Sequence, residues 1–217
     1  TGTPIVVVLL NGSAVAVNWA QEHAEAIVEA WYPGEEGGTA IADVLFGDVN
    51  PAGRLPVTFY QSVDQLPPFR DYAMEGHTYR FFTGEPLYPF GHGLSYTTFA
   101  YRDLALSEDE VEAGTCVDVE VTVENTGDRA GDEVVQLYVR DDAASVPMPI
   151  RQLKGFRRIH LEPGEQQTVR LCVMPMDMAM VSDAGEWVVE PGAFSLFVGG
   201  GQPGTGAPGV AGRFEVV

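Results

Sequence analysis

The sequence predicts an α/β segment followed by an all-β sandwich, two fold classes within 217 residues. Three observations predict this. Ile5-Val6-Val7-Val8-Leu9-Leu10 is an unbroken apolar run, the pattern of a strand buried on both faces in a parallel sheet. Residues 20 to 46 carry apolar positions at helical spacing. From Tyr101 onward the period changes to two: Val117, Val119, Val121 and Val123 alternate with Asp118, Glu120, Thr122 and Glu124, as in a half-buried strand.

The elements follow in order. After Leu10 the turn Asn11-Gly12-Ser13 leads into an apolar stretch ending at Trp19. Residues 20 to 31 read as a helix, because Ala24, Ile27, Val28 and Trp31 recur every three or four positions. Pro33-Gly34 ends it. A second helix is expected from Thr39, as N-cap, to Phe46, with Gly47 as its stop. Asn50 to Gly53 is a turn, and Leu55 to Phe59 a short strand. Few strands are thus available within residues 1–60 to pair with Ile5 to Leu10. The expectation is a sheet that began upstream of Thr1, left here with an exposed apolar edge.

Residues 61–100 are rich in proline, glycine and aromatics, among them Pro67, Pro68, Phe69, Tyr72, Tyr79, Phe81, Phe82, Tyr88 and Phe90. Aromatic content of this kind argues against disorder, and the stretch reads as an ordered connector across a domain boundary. Residues 101–217 hold strand candidates at 117–123, 134–140, 153–159, 168–173, 186–189, 194–198 and 213–217. Turn signals such as Pro163-Gly164 and Pro191-Gly192 separate them. About seven short strands over roughly 115 residues fit an immunoglobulin-like or fibronectin type III-like sandwich.

Composition excludes several functions. The net charge is −19, from 31 acidic and 12 basic residues. This argues against nucleic acid, whose phosphates require Lys and Arg, and against an anionic membrane surface. No apolar run approaches the ~20 residues needed to span a bilayer. The two cysteines, Cys116 and Cys172, have no ligand at usable sequence spacing, so neither a metal nor a cofactor is expected. Strand parity puts both on the outer face, where a cross-strand disulfide becomes possible if their strands are neighbours.

Catalytic patterns are sparse. Gly93 to Thr97 has Thr where a nucleophile elbow needs its second Gly. Gly199 to Gly204 lacks the Lys-Ser/Thr of a phosphate-binding loop. His23, His77, His92 and His160 are scattered; His23 reads as solvated, and His92 as part of a turn or interdomain hydrogen bond. Glycoside hydrolysis needs two carboxylates flanking the scissile bond. Glu35-Glu36, Asp71 and Glu75 are candidates by type, but solvated loop acids look the same. Tyr72 and Tyr79, with Phe81 and Phe82, are candidates for stacking on a sugar face, or else join two domains.

Several blocks together resemble the C-terminal half of glycoside hydrolase family 3 enzymes. They run from Pro4 to Gly12, Ala30 to Gly38, Ala42 to Pro56, Thr78 to Phe82 and Tyr88 to Tyr96. Further blocks are Asn125 to Gly127 with Gln136 to Val139, Leu153 to Phe156, and Trp187 to Gly200. Their order and spacing hold over the full length. The resemblance implies a fold of α/β plus all-β: a partial α/β sandwich, its C-terminal half, followed by a fibronectin type III-like β-sandwich. The implied domains are the second half of the α/β sandwich at 1–60, the interdomain connector at 61–100, and the fibronectin type III-like domain at 101–217.

The resemblance also implies a retaining, exo-acting β-glucosidase or β-xylosidase as the parent. Its nucleophile Asp would sit on a barrel, and its acid/base Glu on the sandwich, both upstream of Thr1. No catalytic residue is therefore expected in this chain. Tyr72 and Tyr79 stand as the substrate-binding candidates. The implied partners are the missing barrel, the first half of the sandwich and a β-linked oligosaccharide. The implied location is secreted or periplasmic. The rival reading is a stand-alone carbohydrate-binding or adhesion module, with the connector aromatics as its platform.

Overall fold

The computed structural model describes residues 2–217. Strand β1 (Val6–Leu9) pairs in parallel with β2 (Ala26–Glu29), Val7 opposite Ile27 and Val8 opposite Val28. Between them lies α1 (Asn18–His23), a six-residue helix. The expected helix over 20–31 is thus wrong in its second half. Ile27 and Val28 are β-branched and favour a strand once a partner exists, and β1 is that partner. Trp31, at φ 50°, turns the chain sharply just beyond. Glu25 ties the start of β2 to the start of β1: its backbone N–H donates to the Ile5 carbonyl at 2.9 Å, and its carboxylate accepts from the Ile5 N–H at 2.6 Å.

Helix α2 (Gly37–Phe46) begins two residues before the expected cap. Glu36 occupies the N-cap without a side-chain bond, and the Thr39 hydroxyl donates to Glu36 Oε2 at 3.3 Å instead. Gly47 ends the helix as expected. Its φ of 82° is a left-handed conformation suited to glycine, and its N–H bonds the Val44 carbonyl. The expected strand at 55–59 is reduced to one rung, in which Phe59 and Tyr88 exchange backbone hydrogen bonds. With only β2 beside β1, Val6 is 47% exposed and Leu10, just past the strand, 60%.

The segment 61–98 holds one 3-10 turn (Val63–Gln65) and the single-turn helix α3 (Thr78–Phe81). Beyond it lie seven strands of eight residues or more: β3 (Phe99–Leu106), β5 (Val117–Asn125), β6 (Gly131–Asp141), β7 (Gln152–Leu161), β8 (Gln166–Val173), β11 (Gly192–Gly199) and β12 (Gly209–Val216). Three are two residues long: β4 (Glu110–Val111), β9 (Met180–Val181) and β10 (Trp187–Val188). The short helix α4 (Pro175–Met178) follows β8. One sheet has the order β4-β12-β11-β6-β7, the other β3-β5-β8. Between them Val117, Val119, Val121 and Val123 pack with Val135, Leu137, Leu161, Phe194, Leu196 and Phe214.

Two strand expectations change. The candidate at 186–189 forms only β10, an arm of a small hairpin with β9 that leaves Trp187 exposed. Strand β3 was hidden because it is irregular: its pairing with β5 shifts between Arg102 and Ala105, where Asp103 adopts φ 55°. Asn125, in the turn motif Asn125-Thr126-Gly127, is completely buried. Its amide donates to the carbonyls of Arg129 at 2.7 Å and Leu161 at 2.9 Å. Its oxygen accepts from the Thr97 hydroxyl at 2.6 Å and the Gly127 N–H at 3.1 Å.

Candidate functional site

The polar centre of the molecule forms where the first 100 residues meet β6. Glu133 shares strand parity with the core residues Val135, Leu137 and Val139, so its carboxylate points inward. Arg54, from the loop after α2, reaches it at 2.6 Å. The two side chains are only 9% and 2% exposed. Arg54 Nε also donates to the Gly200 carbonyl at 3.1 Å, and the Tyr101 hydroxyl donates to Glu133 Oε1 at 2.6 Å. Burial pushes the Glu133 carboxyl above its ordinary value, and the Arg54 charge and the Tyr101 hydrogen bond pull it back. Burial and the Glu133 charge raise the Tyr101 hydroxyl, which therefore stays protonated and acts as a donor.

The opposite face of β6 is covered too. Gln136 donates to the carbonyls of Gly91 at 3.2 Å and Gly200 at 3.1 Å, and accepts from the Tyr138 hydroxyl at 2.7 Å. Gly91 has φ 78°, and a Cβ there would strike Gln136 Oε1 and the Tyr138 oxygen. The motif Gly91-His92-Gly93 is therefore a close backbone crossing. His92 serves the turn through its backbone, its N–H bonding Pro89 at 3.2 Å and its carbonyl accepting from Leu55 at 2.8 Å. Its ring stacks on Tyr88, and burial followed by the Arg54 charge lowers its pKa.

Tyr79 lies in this contact rather than in open solvent. Its ring stacks on Phe90 with centroids 4.0 Å apart and meets Tyr138 edge-on at 6.3 Å. Its hydroxyl accepts from the Leu153 N–H at 3.1 Å. Tyr72 is 90% exposed, and Phe69 beside it 96%. Phe82 is buried and packs edge-on against Tyr60.

The acidic candidates do not converge. Glu35, Glu36, Asp71 and Glu75 are all exposed, and Asp71 accepts from the Ala73 N–H at 3.0 Å in a local turn. His23 stacks on Trp19 in solvent, while His77 sits at the start of α3. His160 pairs with Asp132 at 2.6 Å on the outer surface of the β6–β7 pair.

A cleft of about 1230 Å³ opens between β2, α2 and the segment 82–96. Ile27, Val28, Ile41, Val44, Phe59 and Tyr88 form much of its wall. Glu25, Glu29 and Glu85 are its acidic residues. Glu25 is held by Ile5, and Glu29 by Asn11 Nδ2 at 3.1 Å and the Trp31 N–H at 2.9 Å. This wall can bury apolar surface, but those two carboxylates are committed to backbone and amide partners.

Sequence reading missed two groupings. Glu133 lies just outside the strand expected at 134–140, and nothing local points from it to Arg54. Cys116 and Cys172 lack ligands along the chain, yet the β5–β8 register sets Asp118 directly opposite Cys172. The ligand atoms of Cys116, Asp118 and Cys172 all lie within 4.8 Å of one another. Both cysteines are free thiols on the outer face.

The comparisons with known proteins agree with this architecture. Residues 1–96 match the description glycosyl hydrolase family 3 C-terminal domain, and residues 133–202 match fibronectin type III-like domain. The chain is 43% identical over 211 residues to a periplasmic beta-glucosidase of Salmonella typhimurium, covering 92% of this chain and 28% of that protein. It is 45% identical over 204 residues to a beta-xylosidase of Formosa agariphila, with the same two coverages. It superposes on the structure of beta-glucosidase 3B from Thermotoga neapolitana in complex with α-D-glucose with a TM-score of 0.88. There the identity is 35%, covering 99% of this chain and 31% of that one. The chain thus spans about 28% of the length of these curated relatives. The fold, the matched domains and these relatives together place the chain in glycoside hydrolase family 3, as its C-terminal domain joined to a fibronectin type III-like domain.

Proposed function

We propose that this chain is supporting structure of a retaining, exo-acting β-glycosidase that removes terminal β-D-glucosyl or β-D-xylosyl residues from oligosaccharides. The observation that carries this reading is the state of Glu133. It is the buried carboxylate among the described residues, and it is tied to Arg54 and Tyr101. A retaining glycosidase uses two carboxylates about 5–5.5 Å apart, one of them free to attack carbon. A carboxylate locked to a guanidinium joins layers instead. In this reading the nucleophile Asp and acid/base Glu belong to the part of the protein outside residues 1–217.

The same reading assigns residues 1–60 to the second half of an α/β sandwich, 61–100 to a connector and 101–217 to the fibronectin type III-like domain. The exposed apolar side chains of β1 then take further strands from the rest of the protein, its barrel and first half-sandwich being the partners. The periplasmic name of the Salmonella relative supports a secreted or periplasmic parent.

The purified chain should not hydrolyse nitrophenyl β-glucoside or β-xyloside. Turnover that survives stringent purification would overturn the assignment. The exposure of Phe69 and Tyr72 favours a second reading, a carbohydrate-binding surface. Affinity electrophoresis on xylan or glucan tests it, retardation lost in Tyr72→Ala being its signature.

A further inference from the structure

We propose that the outer face of the three-stranded sheet carries a binding site for a thiophilic metal ion of the zinc(II) class, formed by Cys116, Asp118 and Cys172. The residues come from neighbouring antiparallel strands. Asp118 stands directly opposite Cys172, and Cys116 lies one position before the paired residues Val117 and Val173. All three side chains share one parity and project away from the core that Val117, Val119 and Val173 enter. Their ligand atoms lie within 4.8 Å of one another. A tetrahedral zinc with bonds of about 2.3 Å to sulfur and about 2.1 Å to oxygen sets ligand atoms roughly 3.5–3.8 Å apart. Ordinary side-chain rotation closes that difference.

The donor set is that of a zinc site with one position left open. The thioether of Met174, whose Sδ lies 3.6 Å from Cys172 Sγ, is a further soft donor at its edge. The charge around it is acidic. Glu120, one rung along, is paired with Arg170 at 2.6 Å, and Asp177 faces Lys154 at 3.8 Å. Asp118 has no basic partner among the described residues, and each thiol gives up its proton on ligation.

A disulfide is the competing use of the same sulfurs. Cys116 and Cys172 are diagonal, not directly opposite, in the β5–β8 register. Diagonal Cβ atoms across an antiparallel pair stand about 7 Å apart or somewhat less, whereas a disulfide needs roughly 3.5–4.5 Å. A metal bridges the wider gap because two bonds replace one.

Cobalt(II) titration of the reduced 217-residue chain tests the site. Thiolate charge-transfer and ligand-field bands should appear, saturate at one ion per chain and disappear on adding zinc(II). Bound zinc should also protect both thiols from alkylation. The bands should be lost in Cys116→Ser and Cys172→Ser and weakened in Asp118→Asn. These are partly or fully exposed positions, and unchanged thermal melting confirms folding. Absent bands with both thiols shown free, or bands that survive in Cys116→Ser/Cys172→Ser, overturn the proposal. So does recovery of the pair as a disulfide from chain purified with zinc present.

Discussion

Arg54 Nη2 and Glu133 Oε2 meet at 2.6 Å across 79 positions of sequence, with both side chains almost wholly buried. This pair joins the loop after α2 to the edge of the β-sandwich core. Removing one partner of a buried pair leaves an uncompensated charge and costs about 3–5 kcal/mol, whereas replacing both with apolar groups is often near neutral. Arg54→Met should therefore lower stability by about that amount in urea unfolding. Arg54→Met/Glu133→Leu should recover much of it. A single variant as stable as the parent chain would show that the pair is not a tether.

Tyr79 should act as a clamp between the connector and the sandwich. It has a ring on each side and a backbone donor at its hydroxyl. Tyr79→Ala removes all three contacts and should cost about 2–4 kcal/mol, below a full core aromatic because the ring is half-buried. Tyr79→Phe keeps the stacking and leaves the Leu153 N–H short of an acceptor, costing about 1 kcal/mol. Thermal melting checks both, and an unchanged curve for Tyr79→Ala would refute the clamp.

Asn125 uses every hydrogen-bonding group of its amide within the protein. Asn125→Ala would leave the buried Leu161 carbonyl without its side-chain partner, and should cost about 2–4 kcal/mol. Asn125→Asp turns two donors into acceptors that face the carbonyls of Leu161 and Arg129. Its stability should therefore improve as pH falls and the new carboxyl takes up a proton that it can donate. Chemical denaturation at two pH values separates these outcomes.

His160 and Asp132 form a surface switch of small size. The hydrogen bond to Asp132 raises the His160 pKa. For Asp132, burial pushes upward, but hydrogen bonds from His160 and Arg158 overcome it and hold the carboxyl below its ordinary value. The protonated imidazole thus supports the fold below the ordinary histidine value of about 6.5, and that support fades as pH rises through the higher folded value. The Asp132 contribution is present above about pH 3.9 and fades as pH falls through its depressed value. An NMR titration should find His160 above its ordinary value, returning toward about 6.5 in Asp132→Asn. An unshifted His160 in the parent chain would disprove the coupling.

Local pattern alone reached far in the second half of the chain. Alternation at Val117 to Val123 places one residue on each face whatever the neighbouring strand is, because the strand period is fixed by backbone geometry. Gly47 as a helix stop and Asn125 to Gly127 as a turn are similarly local. The resemblance blocks also reported on contacts they do not display. The glycines of Gly91-His92-Gly93 are explained by Gln136, Tyr138 and Gly53, which lie far away in sequence or across a loop.

Composition and period thus determined by themselves that an α/β part precedes an all-β part, and that the valines of β5 face a core. Tertiary structure decided what depends on a partner. Residues 26–29 carry both a helical stripe and a β-branched run, and only β1 resolves the choice in favour of a strand. Glu133 looks like any other acid until Arg54 lies against it. Cys116 and Cys172 look isolated until the antiparallel register folds the 55 intervening residues into one short span of sheet. In each case the deciding energy comes from a group distant in sequence, which no local pattern encodes.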